Sequence, residues 1–458
     1  TTAYGGYCDP KINGSFNPYL VNYNRNAIAR PHKDVVQEMK KQLTAQKKKF
    51  QETDPTNDPS GYNHQRVRLE DAQRKLAIFS RSRDPWMRTT LGQVFLDGLP
   101  LVEVERSGEL KSMPGTWMVS AEGDAILVHP PASSTPLSKR LVEISVRHTV
   151  FSPLTRGLGY ITVKGFIIEH GANASNTWGN KGWPQSGLIS TRTGHHWVIE
   201  DNIVRYAKYT GIDCGSEHID SDKIEFEGEL VNAGRRMWQD YMDGKKLPES
   251  APGNHLIRNN RVCDNGQCGI TGLGHYRTRI IDNIIERNNR NGYTSPWWEF
   301  GGIKFHAVVE GLIEGNLIRD NDAHGIWLDN QWQHTRVTRN VIINNLWSGI
   351  NMELGRGPCL IDNNVIAYTR QGDGIYGHDM ADFTVAHNLI YANANYGVWV
   401  AWATPRIRAE DGCRDIKTFN NMILGNKAGA IGYPMPWEFA GNNLSDGNLF
   451  MGGGEYLD

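Results

Sequence analysis

The segment Asn316-Leu-Ile-Arg-Asp-Asn-Asp-Ala-His-Gly325-Ile-Trp-Leu-Asp329 is followed, 24 residues later, by Asn340-Val-Ile-Ile-Asn-Asn-Leu-Trp-Ser-Gly349-Ile-Asn-Met-Glu353. Both read as an asparagine, two apolar residues, a polar turn, and a glycine that opens an alternating strand. From about residue 160 onward the phrase recurs, anchored at Asn202, Asn260, Asn283, Asn316, Asn340, Asn364, Asn388 and Asn421. The spacing is 24 at each step from Asn316 to Asn388, and longer gaps mark inserted loops. A period in the low twenties, with short Val, Ile and Leu runs and no amphipathic helix between them, makes each repeat one coil of a β-solenoid. The L-x-x-L-x-L phrase of leucine-rich repeats is absent. The expected fold is all-β, a parallel β-helix with inserted helical segments. An inward Asn at each corner can bond the corner backbone and the next Asn along the axis, so none of these eight is assigned to catalysis.

A solenoid also explains how 458 residues escape the usual figure of roughly 150 per domain. Residues 151–458 are read as the β-helix, with a helical insertion at about 227–242. Residues 1–150 are read as an N-terminal cap and first strands. Within that part, 92–98 and 141–146 have strand character, and about 34–80 forms a helical hairpin. Its arms, 34–52 and 64–80, are separated by Asp54-Pro55-Thr56-Asn57-Asp58-Pro59. The lysines of the first arm (Lys40, Lys41, Lys47, Lys48, Lys49) read as a solvated face.

The formal net charge of -1 offers no basic footprint for displacing phosphate counterions, so nucleic acid is excluded as a partner. No run of about 18 apolar residues is present, so no membrane span is expected. The chain begins at Thr1 without a signal-like stretch, and a secreted or periplasmic location is expected for a processed protein. Six cysteines are too few for a disulfide framework, and the C-x4-C at 263–268 lacks a second pair for zinc. They read as buried free thiols. His195 and His196 would project to opposite faces of a strand and make a poor metal pair. No metal and no cofactor are expected.

Aligning the strands on their glycines gives Gly302-Ile-Lys304-Phe-His306, Gly325-Ile-Trp327-Leu-Asp329, Gly349-Ile-Asn351-Met-Glu353, Gly374-Ile-Tyr376-Gly-His378 and Gly397-Val-Trp399-Val-Ala401. Strand side chains alternate, so the residues one and three after each glycine fill the core. Those two and four after it face solvent as two columns. One column is Lys304, Trp327, Asn351, Tyr376 and Trp399, and the other is His306, Asp329, Glu353 and His378. Equivalent residues on neighbouring coils start about 4.8 Å apart. Asp329 and Glu353 are such a pair, and carboxyls about 5–5.5 Å apart suit a retaining glycosidase, whereas inverting enzymes need about 6.5–9.5 Å. Two acids this close also resist ionising together, which keeps one proton on the pair. The aromatic column supplies rings that cover sugar faces.

At these residues the sequence resembles glycoside hydrolase family 120, β-xylosidases on a right-handed parallel β-helix. The resemblance runs discontinuously from about Gly92 to Asn388, through E-I-S-V-R-H-T-V-F at 143–151, Y-I-T-V-K-G-F at 160–166, W-V-I-E-D-N at 197–202, E-F-G-G-I-K-F-H at 299–306, G-I-W-L-D at 325–329, T-R-V-T-R-N at 335–340 and M-E-L-G-R-G-P at 352–358. It implies that Asp329 is the nucleophile and Glu353 the acid/base, and that Glu299, Lys304 and His306 line the sugar site. The family strand reads V-E-V-N-H-G-P where this chain has Met352 to Pro358, which makes Arg356 new to the site and a candidate ligand of an acidic sugar or a partner of Asp329 or Asp379. The family's inserted β-sandwich has no room here, so the helical hairpin or a partner subunit of a homo-oligomer is expected to close the pocket.

The resulting expectation is a retaining hydrolase of β-xylosides or related plant or algal glycans, with an oligosaccharide or polysaccharide substrate. One rival is a polysaccharide lyase or uronate epimerase with Lys304 or Tyr376 as base. Another is a non-catalytic glycan-binding solenoid, since fold alone does not choose between functions.

Overall fold

The computed structural model describes residues 90–452 apart from 134, 174–186, 217–232, 291–298, 402–412 and 436–439, together with 18–19, 32–54 and scattered positions up to 76. Three long parallel sheets dominate. Two have ten strands, running from Thr162–Lys164 to Leu444–Asp446 and from Ile167–Glu169 to Leu449–Met451. The third has nine, from Gly187–Ser190 to Gly429–Gly432. Each coil contributes one short strand to each sheet and the next coil stacks on it in register, which is the parallel β-helix expected from the repeat. Three-residue strands suffice because the aliphatic side chain at each centre points inward. Ile257, Ile280, Ile313, Val337, Ile361 and Val385 are all buried in one continuous core.

The corner between the first two sheets explains the asparagine repeat. The residue before each ladder Asn sits in the left-handed region, as at Asp282 (φ 53°), Arg339 (φ 56°) and Asn363 (φ 55°), and this single residue turns the chain. The turn leaves backbone groups facing inward, and the amide satisfies them. Asn340 Nδ2 donates to Ile313 O and Thr338 O at 3.0 Å each, and to Asn364 Oδ1 at 3.0 Å. Its Oδ1 accepts the Asn316 backbone N–H and side-chain amide at 2.9 Å each. The ladder runs unbroken from Asn202 to Asn448. A second ladder, five residues further along each coil, was not anticipated. It joins Asn265, Asn288, Asn321 and Asn345, and later Asn393 and Asn426. Its signal was present as an N-x4-N spacing. Replacing Asn340 by Leu should strand several buried donors and acceptors and cost about 3 kcal/mol or more. Urea denaturation should show the lowered midpoint, and an unchanged midpoint would mean that the ladder only fills space.

At the N-terminal side, Val94–Leu96 pairs antiparallel with Val142–Ile144, a pattern distinct from that of the coils. A buried Lys208–Glu103 ion pair at 2.8 Å ties this part to the solenoid. His32–Glu52 is helical, whereas the arm expected at 64–80 lies largely outside the described residues. Ala233–Met242 is a helix packed on the third sheet, and 227–232 lie outside the described residues. Cys214, Cys263, Cys268, Cys359 and Cys413 are buried free thiols, and Cys8 lies outside the described residues. No described helix is long and apolar enough to cross a membrane.

Candidate active site

The third sheet carries the glycine-led strands, and its register stacks the predicted residues. Lys304 pairs with Trp327, Trp327 with Asn351, Asn351 with Tyr376, and Tyr376 with Trp399. Beside that column His306 pairs with Asp329 and Glu353 with His378. Asp329 and Glu353 each lie one residue past the paired Leu328 and Met352, so the two carboxylates belong to adjacent coils.

The two columns do not face solvent as expected. Lys304, His306, Trp327, Asp329, Asn351, Glu353, His378 and Trp399 are buried, and Tyr376 is partly buried. The reason is a second apolar layer outside the sheet, where Phe300, Trp347 and Trp327 pack together. The rings are consequently less open than a sugar platform requires. The Lys304 ammonium lies 3.4 Å from the centre of the Trp327 ring, and His324 packs against that ring at 5.1 Å. Trp399 lies 4.3 Å from Tyr396 and closely over Gly432, where a Cβ would sit 2.5 Å from the indole.

Around Asp329 the charges interlock. Lys304 Nζ donates to Asp329 Oδ2 at 2.6 Å and lies 3.6 Å from Glu299 Oε2. His306 Nε2 is 2.6 Å from Glu299 Oε2, while its Nδ1 is 3.6 Å from Asp329 Oδ2. Burial works against ionisation of Glu299, but His306 and Lys304 outweigh it and hold this carboxyl below the ordinary glutamate range. Burial pushes the Asp329 carboxyl above the ordinary aspartate range, with Lys304 opposing and Glu353 adding to the rise. Asp329 Oδ1 is buried without a hydrogen-bond partner among the described residues. One oxygen of this carboxylate is therefore held by Lys304, and the other is left without a hydrogen bond among the described residues.

Around Glu353 the partners are different. His378 Nε2 lies 3.4 Å from Glu353 Oε2, and its Nδ1 lies 3.1 Å from Asp379 Oδ2. Trp332 Nε1 donates to the Glu353 backbone carbonyl at 3.1 Å. The same indole fills the space beside Gly355, where a Cβ would lie 1.9 Å from it, so the glycine in Leu354-Gly355-Arg356 leaves room for Trp332. Arg356 is exposed at the start of the strand Arg356–Asp362, unlike the buried candidates.

His324, Trp332, Asp379 and Phe300 also shape the site, and the reading of the sequence did not single them out for it. Phe300 and His324 lie just before the glycines Gly302 and Gly325, and Asp379 and Trp332 lie past the ends of their strands, so all four fall outside the two columns. Burial pushes the His324 ring down to about 3, so it is neutral. Its Nδ1 accepts the Ser348 N–H at 3.3 Å, which places the ring proton on Nε2, 3.4 Å from the Asn351 amide. The oxygen of Asn351 is the end that proton calls for. Away from this region, His195 and His196 do not project apart as expected. A left-handed His196 (φ 55°) turns the two rings so that their Nδ1 atoms lie 3.0 Å from one another.

Among solved structures, the chain is similar to XylC in complex with xylose. Identity is 26%, the match covers 73% of this chain and 57% of that chain, and the TM-score is 0.56. The chain thus spans less than two thirds of that protein's length. It is also similar to the periplasmic alginate epimerase AlgG at 14% identity, covering 64% of this chain and 70% of that chain with a TM-score of 0.40. No curated protein matches the sequence significantly. The family described as "Periplasmic copper-binding protein (NosD)" matches residues 161–350 and 297–433. Those two overlapping stretches hold the coils of all three sheets and both carboxylates, and together they make up more than half of the chain, which belongs to the NosD family.

Proposed function

We propose that the protein is a retaining glycoside hydrolase acting on β-xylosides or related plant or algal glycans, with Asp329 as nucleophile and Glu353 as acid/base. The observation that carries this reading is the asymmetry of Asp329. Lys304 holds Oδ2, while Oδ1 is buried without a hydrogen-bond partner among the described residues, one coil away from Glu353. Such a carboxylate can attack an anomeric carbon along one oxygen while its charge is steadied at the other. Glu353 then protonates the leaving oxygen and afterwards takes a proton from the water that releases the sugar. In this reading Glu299, His306 and the Asn351 amide bond sugar hydroxyls beside the reacting carbon. The similarity to XylC bound to xylose and the resemblance to glycoside hydrolase family 120 support the same reading.

The lyase or epimerase reading has two candidate bases, Lys304 and Tyr376, and one of them is poorly placed for it. Lys304 is fully buried and committed to two carboxylates, whereas Tyr376 is only partly buried. The copper in the family's description also finds a poor fit at this site. Among the described residues Glu299, His306 and Asp329 bring ligand atoms within 4.8 Å of one another, but the Lys304 ammonium already occupies the cation's place between the two carboxylates. Two oxygens and one imidazole are also not the sulfur-rich set that favours cuprous copper. A secreted or periplasmic location and a carbohydrate partner accompany the proposal.

A panel of nitrophenyl glycosides followed by NMR of the first-formed product tests it. Turnover of a xyloside with retained anomeric configuration is expected. Inverted product would break the nucleophile assignment, an unsaturated product absorbing in the ultraviolet would restore the lyase, and binding without turnover of any glycoside would leave a glycan-binding solenoid.

A further inference from the structure

His378 stands between two acids on the coil after Glu353. Its Nε2 is 3.4 Å from Glu353 Oε2, its Nδ1 is 3.1 Å from Asp379 Oδ2, and all three side chains are buried. Asp379 is itself set by its backbone N–H, which donates to Ala401 O at 3.1 Å on the next coil. A histidine that only bonded sugar hydroxyls would have no need of a buried carboxylate behind it.

We propose that His378, anchored by Asp379, is a positioning residue that stores the proton Glu353 delivers to the leaving group. The inference rests on the reading of Glu353 as acid/base. With Nδ1–H given to Asp379, Nε2 is the nitrogen aimed at Glu353, and one proton between Nε2 and Oε2 has two resting places. Either Glu353 is the neutral acid beside a neutral imidazole, or it is a carboxylate beside imidazolium. In the first step the proton passes from Glu353 to the glycosidic oxygen and leaves carboxylate and neutral imidazole. In the second, Glu353 removes a proton from water and the Glu353–His378 pair is restored, so protons balance over the cycle.

The electrostatics agree in direction. Burial opposes the charged ring, but Glu353 and Asp379 lift His378 to about 9. Other groups facing this assembly among the described residues include the carboxyls of Asp329 and Glu299 on the Glu353 side, the Tyr376 ring at 5.5 Å, the neutral His324, and Cys413, whose buried thiol is pushed up to about 12. Because the histidine value is raised, the pair keeps its last proton below about pH 9 and loses it as pH rises through that value. Without His378 the proton would rest on a carboxyl alone and leave at lower pH.

The test is the pH dependence of kcat/KM for two xylosides, one with an alkyl leaving group that needs an acid and one with a nitrophenyl group that does not. For the alkyl xyloside, His378→Gln should move the alkaline limb acidward by about 1–2 pH units, and Asp379→Asn should move it the same way by less. The nitrophenyl limb should stay in place in both. An active His378→Gln enzyme whose alkyl limb has not moved, or whose two limbs move together, overturns the inference and leaves the glycosidase reading intact. Wild-type protein silent on every glycoside overturns that reading and this inference with it. Should His378→Gln fail to fold, NMR titration of the His378 ring in the wild-type protein decides. A ring titrating near 9 and lowered in Asp379→Asn supports proton storage, and one near the ordinary histidine value refutes it.

Discussion

Asp329→Asn is expected to abolish turnover of every glycoside, with kcat/KM down by at least about 10⁴-fold even for activated aryl leaving groups. An amide cannot form the covalent glycosyl intermediate, and no choice of leaving group supplies the missing bond. The Asn variant is the informative one, because Asp329 shares Lys304 with Glu299 and the ammonium is completely buried. Asp329→Ala would leave that charge with a single, more distant partner, and removing one side of a buried ion pair typically costs about 3–5 kcal/mol. Asn keeps the shape and an oxygen for Lys304, so lost activity with an unchanged unfolding midpoint separates chemistry from folding. Residual activity above about 1% in a pure Asn variant would exceed what the missing nucleophile allows and would remove Asp329 from that role.

Glu353→Ala should act selectively. For alkyl xylosides or natural disaccharides, which leave only when protonated, turnover should fall by about 10³–10⁴-fold. For nitrophenyl xylosides, formation of the glycosyl enzyme should persist while its hydrolysis, which needs a base, becomes limiting. Azide requires no base, so its addition should restore turnover and give a glycosyl azide of retained configuration. An inverted azide, or equal losses for good and poor leaving groups, would reassign Glu353 to sugar binding. Glu353→Ala keeps the Trp332 bond to the backbone carbonyl at residue 353 but removes one acid beside the buried His378, so its unfolding midpoint is measured alongside its kinetics.

The sequence by itself determined the periodic parts of this protein. The 24-residue asparagine spacing, the inward aliphatic positions and the glycine that opens each strand of the third sheet obey local rules of alternation and turn geometry, and alternation holds whatever surrounds a strand. That is why Lys304, Asp329, Glu353 and His378 could be placed on one face before any coordinates were known. The second asparagine ladder was written there too, in the N-x4-N spacing, and was overlooked. Burial was decided only by the tertiary structure. The outward columns read as solvent-facing because a strand's outer face is open unless another layer covers it, and that layer includes Phe300 and Trp347, each two residues before a strand-opening glycine. Covering them turned exposed acids into a low-dielectric cluster in which each charge must have a partner, which is why Glu299 meets both His306 and Lys304 and why Asp379 backs His378. His324 and Trp332 belong to the same class. Their contacts join coils through side chains, His324 from the head of its strand and Trp332 from just after the left-handed Gln331, and spacing along the chain does not give such contacts.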